Sequence, residues 1–121
     1  MDRERFIHTL PYANPDLSMD ELDATLDKSW KASDKNHPER KSGHYNLDIC
    51  QEEMAELIQE VSKEKRGTGN RYDLLQELAD VIICARTIQK ICGFSDEEVI
   101  RSVDVKRMRI EDNINKEGYH Q

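Results

Sequence analysis

"LLQELADVIICARTIQKIC", residues 74–92, decides the fold. Its centre, DVIICA (80–85), has the density of branched apolar residues expected of a buried strand. The surrounding apolar residues, Leu74, Leu75, Leu78, Ala79, Val81, Ile82, Ile83, Ala85, Ile88 and Ile91, keep a longer period. The flanking Leu, Ala and Glu are good helix formers, so the stretch reads as one helix over about 71–92. Apolar side chains cover well over half its circumference, which places it at the centre of the molecule. A narrow polar strip remains, made of Gln76, Glu77, Asp80, Cys84 and Thr87.

Working upstream, RGTGN (66–70) separates this helix from another, with two glycines and an Asn suited to the left-handed backbone that ends helices. That preceding helix spans about 45–66, with Leu47, Cys50, Met54, Leu57 and Val61 on one face. Before it, SDKNHPERKSG (33–43) reads as a loop, and SMDE (18–21) has the Ser and Glu of a capping box. Met19, Leu22, Leu26 and Trp30 then mark a short amphipathic helix to about residue 32. Residues 1–16 show no period and read as an irregular lead-in. Downstream, Gly93 ends the central helix and SDEE (95–98) restarts the chain. Val99, Val103, Ile110 and Ile114 carry a last helix to about 116. The expectation is an all-α protein, a single domain over 1–121 built as an antiparallel four-helix bundle.

The chain is polar for a globular domain: charged residues make up 36% and the mean hydropathy is −0.86. Slender helices with one buried stripe each suit that balance, and so does a core completed between subunits. The net charge of −7 comes without a basic run, so a cation is a more natural partner than nucleic acid. No apolar stretch is long enough for a membrane span, and the N-terminus lacks a signal pattern. Cys50, Cys84 and Cys92 lie in helical patterns without paired spacing, which reads as reduced thiols in a cytoplasmic protein.

The acidic run QEEMAELIQE (51–60) divides once it is wound into a helix. With Cys50 as zero and about 100° per residue, Met54, Leu57 and Val61 fall within about 40° of the seam. Glu53 stands about 60° to one side and Glu56 about 120° on that same side, with Glu60 near Glu53 and Glu52 pointing outward. On the central helix Glu77 and Asp80 are three apart and project from neighbouring turns. Carboxylates on so apolar a helix are costly unless paired or bound to a metal. Glu53, Glu56, Glu77 and Asp80 make an all-oxygen set suited to Mg²⁺, with Mn²⁺ as a substitute. The competing reading is a pair of solvated faces neutralised by Lys63, Lys65 and Arg71. On the last helix Ser102, Lys106, Arg109 and Asn113 line one flank, suited to phosphate oxygens, or simply to water.

EEMAE (52–56), a turn-bearing spacer and ELAD (77–80) resemble the EExxE…ExxD signature of MazG-like nucleotide pyrophosphohydrolases. The likeness covers about residues 45–115. It implies a MazG-like helical fold and Mg²⁺-dependent hydrolysis of a (d)NTP to (d)NMP and pyrophosphate, with water attacking the α-phosphorus. By motif position Glu53, Glu56, Glu77 and Asp80 would be the metal ligands. Glu52, or a ligand carboxylate such as Glu53 or Glu56, would take the proton of the water. Lys106, Arg109 and Asn113 would hold phosphates. Family members place base-stacking residues before the acidic helix, where this chain has Trp30, His44 and Tyr45. Trp30 also continues an apolar stripe and fits core packing better, while His44 and Tyr45 stay open. The resemblance further implies a homodimer or homotetramer. Two other readings stand beside it: a phosphoribosyl-ATP pyrophosphohydrolase-like enzyme, and a helical interaction module that keeps the fold without the activity.

Overall fold

The computed structural model of the chain describes residues 1–117, and every regular element among them is a helix. Residues 118–121, included in the single domain expected from the sequence, lie outside the described residues. The order is α1 (Arg3–Thr9), a 3₁₀ turn (Leu10–Tyr12), α2 (Met19–Asn36), α3 (His44–Lys65), α4 (Arg71–Cys92) and α5 (Asp96–Glu117). The all-helical class expected from residues 74–92 is therefore the observed one. The chain divides into two compact units, Met1–Ile88 and the part from Gln89 onward, with the border inside α4.

In the first unit the N-terminal segment corrects the sequence reading. Residues 1–16 are not irregular throughout: Asp2 caps α1 by accepting from the Arg5 backbone N–H at 2.9 Å. The Arg3 guanidinium then forms a two-point ion pair with Asp73 at the start of α4, at 3.0 and 2.7 Å. A seven-residue helix is too short to show a period in sequence and is marginal without such a tether. Ser18 caps α2, accepting from the Glu21 N–H at 3.1 Å, as the capping-box pattern predicts.

Helix α2 runs to Asn36, one turn beyond the expected end. Asp34 in that extra turn closes the α2–α3 connection by accepting from Ser42 Oγ and from the Gly43 backbone N–H. Gly43 has φ 80° at the N-cap of α3, a backbone region open to glycine and strained for other residues. Between α3 and α4, Gly67 turns left-handed (φ 74°) as expected, but Asn70 does not. Asn70 instead caps α4, its Oδ1 accepting from the Tyr72 and Asp73 N–H groups at 2.9 and 3.3 Å.

The centre of this unit is the seam between α3 and α4, where Cys50 and Cys84 are 3% and 5% exposed. Cys50 Sγ lies 3.9 Å from the Cys84 carbonyl oxygen. Helix α2 is tied to α4 by Arg86 and Asp23, joined at 2.7 and 2.6 Å. Within the single chain the broad apolar face of α4 is only partly covered. On its polar strip Cys84 is buried and Glu77 and Asp80 are half-buried, as are Leu74, Val81 and Ile88 among its apolar residues. Leu78 and Ile82 on the apolar face are 46% and 59% exposed.

In the second unit, Gln89 on the last turns of α4 donates to Asp96 at 2.7 Å, and Gly93 turns left-handed (φ 75°). Ser95 then caps α5, accepting from the Glu98 N–H at 3.1 Å while its hydroxyl donates to the Glu98 carboxylate. No helix among the described residues is long and apolar enough to cross a membrane.

Candidate metal centre

Each of Glu53, Glu56 and Glu77 presents a carboxylate oxygen, and these three atoms lie within 4.8 Å of one another. The first two stand three apart on α3, so they project from adjacent turns toward the Glu77 position on α4. Glu56 is exposed, while Glu53 and Glu77 are half-buried. One oxygen of each half-buried residue, Oε2 in both, is covered by protein and has no hydrogen-bond partner. A buried acceptor without a partner costs about 1–3 kcal/mol, so two of them facing one cluster call for a compensating ligand.

The electrostatics tell the same story. Burial, a hydrogen bond with Asp80 and the charges of Asp80, Glu56 and Glu77 push the Glu53 carboxyl up to about 7. Burial and the neighbouring carboxylates also raise Glu77, with Glu56 the largest charge. Asp80 thus belongs to the cluster through Glu53, although it is not one of the three mutually close groups. The donor set is oxygen only, crowded with negative charge, and holds two unsatisfied oxygens. Those properties fit a small hard divalent cation such as Mg²⁺ or Mn²⁺.

Beneath the carboxylates, burial raises the Cys50 thiol, and raises Cys84 to about 12. Both are neutral packing groups at ordinary pH, since the thiolate is the reactive form. Asp73, one turn before Glu77, is held below the usual carboxylate range by its hydrogen bonds with Arg3. Glu60 pairs with Lys63 at 3.1 Å. Glu52 is exposed and is not among the clustered carboxylates.

The remaining candidates lie elsewhere. On the second unit Lys106, Arg109, Ile110 and Asn113 line a surface cavity of about 360 Å³ on α5. Arg101 and Arg107 on this helix are paired with Glu97, and with Asp104 and Glu111. Lys106 and Arg109 have no ion-pair partner among the described residues, which leaves both cations available. In the first unit, Trp30 is half-buried and its indole N–H donates to Ser42 Oγ at 3.1 Å. Tyr45 stacks on His37, ring centroids 3.9 Å apart and planes 12° from parallel, while His44 is exposed at the first position of α3.

Sequence reasoning passed over His37, Asp34, Ser42 and Asn46. Asn46 is 8% exposed, its Nδ2 donates to Ser29 Oγ at a long 3.4 Å, and its Oδ1 has no partner. The helical wheel carried the signal for it, because Asn46 stands four residues before Cys50 on the seam of α3. Comparison of the chain with protein families, curated proteins and solved structures found no match.

Proposed function

We propose that the chain is a Mg²⁺-dependent nucleotide pyrophosphohydrolase of MazG-like type, cleaving a nucleoside triphosphate to its monophosphate and pyrophosphate. The observation that carries this reading is the triad of carboxylate oxygens from Glu53, Glu56 and Glu77, two of whose residues keep a buried unpaired oxygen. It agrees with the EExxE and ExxD spacing in the sequence. Glu53, Glu56 and Glu77 hold the cation, and Asp80 steadies Glu53 or joins it as a ligand. A divalent cation there supplies charge neutralisation for the triphosphate and acidifies the attacking water. Lys106 and Arg109, which have no ion-pair partner among the described residues, are suited to phosphate oxygens. The proton of the water goes to Glu52 or to one of the clustered carboxylates.

A MazG-like four-helix bundle completed by a second or further copies accounts for the sparse core and the exposed face of α4. The three unpaired cysteines suit a reducing, cytoplasmic setting.

The test is pyrophosphate release from a panel of ribo- and deoxyribonucleoside triphosphates with Mg²⁺ or Mn²⁺. Release from at least one of them is expected. Glu53→Ala and Asp80→Ala should each lower it more than ~10²-fold, since even outer partners of a metal carry ~10–10². A panel that gives no release above the protein-free blank with either cation overturns the reading.

A further inference from the structure

Among the described residues, three side-chain oxygens are buried without a partner: Oε2 of Glu53, Oε2 of Glu77 and Oδ1 of Asn46. Two of them belong to the carboxylate cluster. The third does not, and it is the most buried polar side chain of the first unit. Asn46 precedes Glu53 by seven residues on α3. Seven residues are close to two full turns, so the two side chains share one face of the helix about 10 Å apart along its axis. That is the scale on which a nucleotide's base stands off from its phosphates.

We infer that Asn46 is the base-reading residue of the site, its Oδ1 accepting from an N–H on the hydrogen-bonding edge of the nucleobase. The inference rests on the pyrophosphohydrolase reading and deepens it. An asparagine amide offers a donor and an acceptor side by side, the pattern that matches base edges in protein–nucleic acid recognition. Here the donor half is engaged, weakly, by Ser29 Oγ, and the acceptor half is left over. Trp30 follows Ser29 on α2, and Ser42 fixes its indole, so an aromatic ring is held on the neighbouring position of the same helix. A carboxylate cluster at one end of the strip and an orphaned amide at the other match the two ends of one substrate.

All three oxygens are covered by protein. A purely structural asparagine would behave differently on substitution. Replacing an orphaned buried amide by an apolar group of similar shape is close to neutral or stabilising, and it leaves selectivity untouched. A site built to hydrogen-bond its substrate loses discrimination instead.

The experiment measures kcat/KM for dATP, dCTP, dGTP, dTTP and dUTP with Mg²⁺ in the parent chain, Asn46→Leu and Ser29→Ala. The expected result is an uneven parent profile whose best-to-worst ratio contracts about tenfold or more in Asn46→Leu. The rise in melting temperature on adding Mg²⁺ should be the same as in the parent. Ser29→Ala, an exposed position, frees the amide and should shift the profile in the same direction by less. If Asn46→Leu does not fold, the Ser29→Ala profile decides. Parent hydrolysis that is equal for all five bases, or a selectivity that both variants leave unchanged, overturns the inference while the pyrophosphohydrolase reading stands. No hydrolysis by the parent overturns the reading itself.

Discussion

At Glu53 the chain trades stability for a charge cluster, and the trade depends on pH. The unperturbed carboxyl titrates near 4.5 and the folded one near 7, because burial, Asp80 and the neighbouring carboxylates oppose ionisation. Between those values the folded chain holds a proton that the unfolded chain has released, so this group's contribution to stability falls as pH rises. It is fully present below about 4.5 and lost on passing about 7. Glu77, raised for the same reasons, acts in the same direction. A bound divalent cation reverses the sign, because it binds the ionised cluster and competes with the protons. Thermal unfolding should therefore show a larger Mg²⁺-induced rise in melting temperature at about pH 8 than at about pH 5. Glu53→Gln should melt higher than the parent without cation and gain less from Mg²⁺. An equal Mg²⁺ effect at both pH values would remove the cluster as the cation's site. At this scale the sequence was most informative where helical geometry alone speaks. The wheel put Glu53 and Glu56 on one flank and Glu52 outside it, and the structure clusters the first two with Glu77. It gave no hint that Asn70 caps a helix or that His37 stacks on Tyr45, since both depend on loop geometry.

Elements are held together here by a few polar ties in place of a broad apolar core. Arg86 on α4 meets Asp23 on α2 in a two-point ion pair whose side chains are 14% and 21% exposed. Removing one partner of a well-buried ion pair costs about 3–5 kcal/mol, and partial exposure reduces that figure. Arg86→Ala should thus lower stability by about 2 kcal/mol in chemical denaturation. Arg3→Ala, which breaks the more exposed tie between α1 and Asp73, should cost clearly less than Arg86→Ala. Equal losses from the two variants would mean that exposure does not set the strength of these ties. Helix bounds followed from caps and glycines, so α4 and α5 appear close to their expected ends. The end of α2 was missed because Asp34 and Ser42 organise the connection across eight residues, which no local pattern encodes. Helix α1 was missed because its anchor, Asp73, lies seventy residues away.

Across the described residues much apolar surface stays uncovered, and this is the feature hardest to reconcile with a chain acting alone. The buried apolar side chains among the described residues are Cys50 and Cys84. Ile58, Leu78 and Ile82 are 67%, 46% and 59% exposed on α3 and α4. Burying such side chains is worth about 1.5–3 kcal/mol each, so a surface that leaves them in water forgoes much of the driving force for folding. The polar composition and the broad apolar face of α4 already suit a core whose cover comes from a further copy. A second copy supplies it if the apolar stripe packs on itself, as a two-fold interface requires. The parent chain should sediment as a dimer or larger, with a melting temperature that rises with protein concentration. Ile82→Glu puts a charge at the same place on both copies and should shift the species toward monomer, lowering the melting temperature and its concentration dependence. Glu53, Glu56 and Glu77 all belong to one chain, so Mg²⁺ should still raise the melting temperature of whatever monomer remains folded. A parent that sediments as a stable monomer, with a melting temperature independent of concentration, would instead mean that the exposed stripe on α4 is compatible with a folded single chain.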